Sequence, residues 1–186
     1  MQDEPPTRDR LVTIAATLFR RKGYHATGLA EVLAEAGVPK GSLYHHFPDG
    51  KAGLAMAAAD WTAALLVRII DDAFTPAPGF VEGAAHLCAK LAKLFQLAED
   101  TNTCPISALM FDGPESPAFR GHAERVFQRL IDRVADHGQR LGLHRAEAEA
   151  RAETLLIAVE GAWTLARARR NPEVLHTLAH RLFPNG

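Results

Sequence analysis

Residues 23–51, GYHATGLAEVLAEAGVPKGSLYHHFPDGK, decide the fold of this chain, because they encode two short helices joined by a tight turn. Thr27 offers a hydroxyl able to accept from the orphan N–H groups of a helix start, and Leu29, Val32, Leu33 and Ala36 then recur at helical spacing. Gly37 stands where a residue of positive φ would end that helix. Pro39 stands where a second helix can begin, since its missing N–H is an orphan there. The second helix, Pro39 to about His45, has only Val38, Leu43 and Phe47 as apolar neighbours, so it buries little and exposes much. Lys40 supplies a cation, Gly41 and Ser42 are small enough for close backbone approach, and Tyr44 and His45 carry polar tips. These are the groups a helix needs in the major groove of DNA.

Outward from this stretch the periodicity remains helical. Leu11, Ile14, Ala15, Leu18 and Phe19 form one stripe of a helix over Thr7 to Lys22, which Gly23 ends. A fourth helix runs from about Lys51 to Phe74 and is broken by Thr75-Pro76-Ala77-Pro78-Gly79. Further helices are predicted at 80–98, 105–112, 117–141, 146–170 and 172–183, and no strand pattern competes. The expected fold class is all-α. A three-helix head with a helix-turn-helix occupies 1–50, and a larger helical domain occupies 51–186.

Composition narrows the function. The 186 residues are 47% hydrophobic and carry a formal net charge of −1, so DNA affinity has to come from local charge rather than bulk charge. Residues 7–51 hold seven cationic and four acidic side chains, a local +3. Two cysteines, Cys88 and Cys104, are too few for a disulfide framework, and no cationic leader precedes the first helix, so a cytoplasmic location is expected. Unbroken apolar runs such as Leu155–Val159 fall far below the roughly 18 residues of a bilayer span, so no membrane association is expected.

The pattern Gly23-Tyr24, Thr27, Ala36-Gly37-Val38, Lys40 to Phe47 and Lys51 resembles the tetracycline-repressor (TetR) family over about residues 8–52. Phe47-Pro48-Asp49-Gly50-Lys51 and Cys104-Pro105-Ile106 are similar to its LmrA/YxaF-like branch, while Leu33 stands where many members carry alanine. The resemblance implies a homodimeric repressor whose two heads read a palindromic operator in double-stranded DNA. A small hydrophobic or aromatic effector would release it, and no cofactor is implied. It assigns DNA contacts to Thr27, Pro39, Lys40, Gly41, Ser42, Tyr44, His45 and Lys51. Lys51 and the free N–H groups at the start of the fourth helix suit one phosphate. The family topology would gather Trp61, Leu65, Leu94, Leu109, Met110, Phe111, Phe127, Leu130 and Trp163 around one cavity in the larger domain, with Glu160 as a polar candidate. The alternative is that all nine are ordinary core, the better reading for any one of them taken singly, and Glu160 inside an apolar run is more often a hydrogen-bonded structural acid than a ligand anchor.

In the segment from Leu155 to Trp163 apolar residues go most of the way round the helix, so it is covered on more than one side. The resemblance implies that the last two helices pair with their two-fold mates as a four-helix bundle, through Leu155, Val159, Ala162, Ala166, Leu175, Leu178 and Leu182. The alternative is that these residues close a monomer core. Arg125, Arg129 and Arg133, interleaved with Glu124, Asp132 and Asp136, read as a solvated ion-paired face. Cys88 reads as a small core residue, and Cys104 as a thiol at a helix start, where its pKa would fall.

Other chemistries lack their residues. His45 and His46 are adjacent on a helix and point about 100° apart, which disfavours a shared metal ion. Gly50-Lys51 lacks the glycine and hydroxyl residue that a phosphate loop needs, with His45 and Ala52 in those places. The competing class is an enzyme or carrier with a helical pocket, and no HExxH, GxSxG or paired-cysteine motif supports it.

Overall fold

The computed structural model describes residues 6–97, 107 and 116–184. Among these there is no strand, and the helices are α1 (Thr7–Ala26), α2 (Leu29–Ala36), α3 (Lys40–His46), α4 (Gly50–Phe74), α5 (Phe80–Leu97), α6 (Pro117–Arg140), α7 (Arg145–Arg169), α8 (Glu173–His176) and α9 (Leu178–Leu182). The helix expected at 105–112 lies outside the described residues apart from Ser107. The single helix expected over 172–183 is two, divided at Thr177. The Thr177 hydroxyl donates to the Glu173 carbonyl at 3.0 Å, a side-chain bond that competes with the helical ladder. Contacts separate two compact units, Met1–Ala64 with Pro105–Val126, and Leu65–Cys104 with Phe127–Gly186. Helices α4 and α6 contribute residues to both.

In the first unit α1 packs on α2 and α3, with Leu11, Leu18, Phe19, Val32, Leu43 and Leu54 fully buried. Gly23 turns the chain out of regular helix with φ 79° and ψ 166°, where the sequence reading ends the first helix. Thr27 does not cap α2. Its hydroxyl donates instead to the Gly23 carbonyl at 2.9 Å, which the turned backbone leaves available, and Gly28 occupies the cap position with no side-chain bond. At the other end of α2, Gly37 is left-handed at φ 64°. The Gly37 and Val38 N–H groups close onto the Ala34 and Leu33 carbonyls at 3.2 and 3.1 Å, a Schellman ending that turns the chain into α3.

Helix α4 has 25 residues and a mean hydropathy of 1.5 over its most apolar window. By length and composition it could cross a bilayer, contrary to the expectation from unbroken runs. Isolated polar residues such as Asp60 and Thr62 interrupt the run without lowering the mean much. Its Leu54, Ala55, Ala58, Ala59 and Ala63 are buried in the first unit, which is where that apolarity is used.

The second unit is built on α5 and α7, with α8 and α9 packed on both. Phe74, Phe80, Cys88, Leu130, Leu155, Trp163 and Leu175 belong to its core. Helix α5 passes so close to Phe74 that a Cβ on Gly83 would stand 2.3 Å from the ring. Beside this contact Asp71 accepts from Arg133 Nε at 2.5 Å and from His137 Nε2 at 2.8 Å. The His137 ring stacks on Phe74 with centroids 5.5 Å apart, and Arg140 donates to the Phe74 carbonyl at 2.7 Å. Arg133 therefore belongs to an ion pair between helices rather than to a solvated face along its own.

Two outcomes follow from this packing. Gly83→Ala forces the buried Phe74 ring aside, so the denaturation midpoint should fall by the equivalent of about 1–3 kcal/mol. The hydrogen bond from Arg133 is the main cause that holds the Asp71 carboxyl below its ordinary value of 3.8, with His137 assisting. A depressed folded pKa gives stability that is complete above the unfolded value and lost as pH falls through the folded one. Asp71→Asn should thus lower stability at neutral pH and flatten the loss below about pH 3.8, measured by urea denaturation across pH.

Candidate nucleic-acid interface

Seven residues give α3 a length of only about 10 Å, so one side must anchor it and the other is left to act. Leu43 and Phe47 anchor it by burial. Lys40, Gly41, Tyr44 and His45 share the opposite, exposed face, with Ser42 and His46 half-buried at its edges. Tyr44 is 50% exposed, a large aromatic surface that the chain's own core does not use. Pro39 lies just outside the helix in extended backbone, φ −71° and ψ 153°, rather than as its first helical residue. The expected contact residues Pro39, Lys40, Gly41, Ser42, Tyr44 and His45 are therefore together. Thr27 is not with them, because it is 1% exposed and its hydroxyl is committed to Gly23.

Lys51 occupies the first turn of α4. Its ammonium lies 4.5 Å from the centroid of the Tyr24 ring and donates to the His25 carbonyl at 3.4 Å. Partial burial lowers the Lys51 pKa and raises that of the Tyr24 phenol. Tyr24 in turn stacks on Phe19, centroids 5.6 Å apart, and meets Phe119 edge-on at 6.1 Å. Lys51 thus ties the end of α1 to the start of α4. A Cβ on Gly50 would stand 3.6 Å from Tyr44 Cε1, so the Tyr44 ring lies along the same α4 terminus. Lys22 is paired with Glu31 between α1 and α2 and adds less to the local positive charge than the sequence count suggests. The sequence reading missed the supporting role of Tyr24, although an aromatic residue directly after a helix-ending glycine was the signal available.

The expected ligand residues fall in both units. Trp61 belongs to the first unit, and Leu65, Leu94, Phe127, Leu130, Glu160 and Trp163 to the second. Leu130 and Trp163 are buried, and Trp163 meets Phe95 edge-on at 5.6 Å. Leu109, Met110 and Phe111 lie outside the described residues, as does Cys104. A cleft of about 220 Å³ in the first unit is lined by Asp9, Arg10, Thr13, Ile14, Glu35 and Ala36, none of them in the expected set. Cys88 is fully buried, and burial pushes its thiol up to about 11, as suits a core residue.

The expected dimer residues require a correction. Leu155, Val159, Ala162, Ala166 and Leu175 are buried within the chain's own second unit and present no surface to a partner. The exposed large hydrophobic side chains of α7 are Ile157, at 67%, and Leu165, at 46%. Leu178 and Leu182 are half-buried.

Residues 11–58 match the bacterial regulatory proteins of the tetR family, and residues 81–181 match the C-terminal domain of LmrA/YxaF-like transcriptional regulators. The HTH-type transcriptional regulator Rv0196 of Mycobacterium tuberculosis is 33% identical, over 96% of this chain and 92% of its own. YxaF of Bacillus subtilis is 35% identical over 59% of this chain and 57% of its own length. Among solved structures, a TetR-family regulator named CifR, complexed with 26-base-pair operator DNA, shares the fold with a TM-score of 0.79. It is 22% identical, and the match covers 100% of this chain and 99% of that one. With a helix-turn-helix head that presents an exposed polar helix and with residues 81–181 matching the LmrA/YxaF-like domain, the chain belongs to the TetR family of transcriptional regulators.

Proposed function

We propose that this regulator is a homodimeric repressor that binds a palindromic operator in double-stranded DNA and is released by a small hydrophobic or aromatic effector. Residues 1–50 are the DNA-reading head and 51–186 the effector and dimer domain. The observation that carries the reading is the exposed face of α3, where Lys40, Gly41, Tyr44 and His45 stand clear of the core. Lys40 suits a base edge or phosphate, the small Gly41 allows the helix to sit deep in the groove, and Tyr44 offers a hydroxyl to phosphate. Lys51 and the N–H groups at the start of α4 suit a second phosphate. Leu65, Leu94, Phe127, Leu130 and Trp163 supply apolar and aromatic lining for the effector. The effector acts only if it binds the non-DNA conformation more tightly than the DNA-bound one.

Electrophoretic shift with a genomically selected operator tests the head. Lys40→Ala should weaken binding by about tenfold and relax base preference, as expected of a base contact. Lys51→Ala should weaken all sequences alike and flatten the salt dependence. Unchanged specific binding by a Lys40→Ala/Tyr44→Ala double variant would refute the assignment.

The effector reading is tested by fluorescence. An aromatic compound that binds as proposed quenches tryptophan emission and lowers operator affinity over one concentration range. Quenching with operator affinity unchanged would separate the cavity from regulation.

A further inference from the structure

In the first unit, cations are held over aromatic rings of the core. Lys51 stands over Tyr24, and the Arg8 guanidinium stands over Phe47, 5.5 Å from the ring centroid. Phe47 is the residue that ends α3, so a side chain from the second residue of α1 is fixed beside the far end of the exposed helix. The Arg8 side chain is nevertheless 54% exposed. Attraction to a ring uses the charge of a guanidinium and none of its N–H donors. Its pairing with Asp9, at 3.9 Å, is beyond hydrogen-bond reach and takes none of them either. Arg8 is thus placed by one interaction and keeps its donors for another.

The end of α3 lacks such a group of its own. Lys40 is the first residue of α3, and from Gly41 to Asp49 there is no lysine or arginine, while Asp49 adds a carboxylate. Lys51 follows, but its ammonium is turned to the Tyr24 ring and to the His25 carbonyl at the end of α1. Lys22 is committed to Glu31. A helix of seven residues is about 10 Å long, and the major groove is about 12 Å wide between its two phosphate walls. A recognition helix sets its N-terminal residues on the base edges, which leaves its C-terminal end against a wall. Arg8 brings to that end the cation that α3 does not carry there.

We infer that Arg8 is a further DNA contact, clamping a backbone phosphate at the C-terminal end of α3, with Phe47 as the residue that positions it. The inference rests on the proposed DNA-reading role of α3 and adds to it a contact from outside the helix-turn-helix. Phe47 then has two tasks. Its burial anchors α3 in the core, and its ring ties the guanidinium of α1 to the helix so anchored. A guanidinium suits this place better than an ammonium, because its planar fork matches two phosphate oxygens and it is more weakly hydrated. A contact of this kind carries affinity and register but no base identity.

Fluorescence anisotropy with the full-length protein and a genomically selected operator, repeated across salt concentrations, tests the clamp. Arg8→Ala should weaken operator binding about tenfold and reduce the slope of log affinity against log salt by about one per head. The penalty for a mismatched base pair and the thermal midpoint should both stay as in the wild type. Arg8→Lys should keep the salt slope and recover part of the affinity, since it keeps the charge and loses the fork. Lys90→Ala removes the same charge from an exposed site in the second unit and should leave binding within about twofold. An Arg8→Ala variant with wild-type affinity and salt slope overturns the contact. Weaker binding with an unchanged slope and a lowered thermal midpoint reduces Arg8 to packing and overturns it too, and a relaxed base preference overturns the phosphate as its target. A wild-type chain with no sequence-specific binding refutes the reading of α3 itself, whereas failure of the clamp alone leaves that reading standing.

Discussion

A helix of seven residues does not persist in water, because the cost of its nucleus exceeds what so few backbone hydrogen bonds return. Helix α3 therefore exists only because Leu43 and Phe47 are held in the first unit's core. This constraint organises the head. Leu11, Leu18 and Phe19 of α1 are fully buried beneath it, and Gly37 sets the direction in which α3 leaves α2. Lys51, against Tyr24, fixes the segment after Gly23 to the start of α4. The exposed face of α3 can be almost entirely polar because its stability comes from the other side. That division of labour lets the exposed residues of α3 vary without unfolding the helix that presents them.

The same division explains what the sequence reading of α7 got wrong. Apolar residues at 155, 159, 162 and 166 form the more regular stripe, and a regular stripe is first of all a claim on the chain's own core. What is left over after that claim is the exposed pair Ile157 and Leu165 on either side of Gly161. Periodicity tells how many sides of a helix are covered. Which side meets which neighbour depends on what packs there, here α5, α8 and α9, and none of that is written within α7 itself.

What was legible in the sequence was local. Gly23 and Gly37 adopt positive φ where the pattern asks for a break, and Pro39 marks the entry to α3. The fold class and the exposed set on α3 follow from these few residues and the helical period. Thr27 was misread because a threonine before an apolar stripe suits two bonding patterns, and only the turned-out Gly23 carbonyl decides between them. The cluster of Asp71 with Arg133 and His137 was invisible, since Asp71 lies 62 and 66 positions from the other two and each has a nearer charge that sequence reasoning prefers. The close approach of α5 at Gly83 was equally hidden, because a glycine inside a helical pattern gives no hint of whether a ring lies against it.

Helix α4 has residues in both units. It starts beside Tyr44 and Lys51 in the first unit and ends in the second, where Arg140 caps the Phe74 carbonyl and Asp71 holds Arg133 and His137. Both ends are thus fixed by specific polar bonds rather than by apolar contact alone. Apolar contacts tolerate small displacements at little cost, whereas charge-assisted hydrogen bonds weaken steeply as their distance and angle degrade. Displacing either end of α4 therefore costs more than displacing an apolar contact of the same size would.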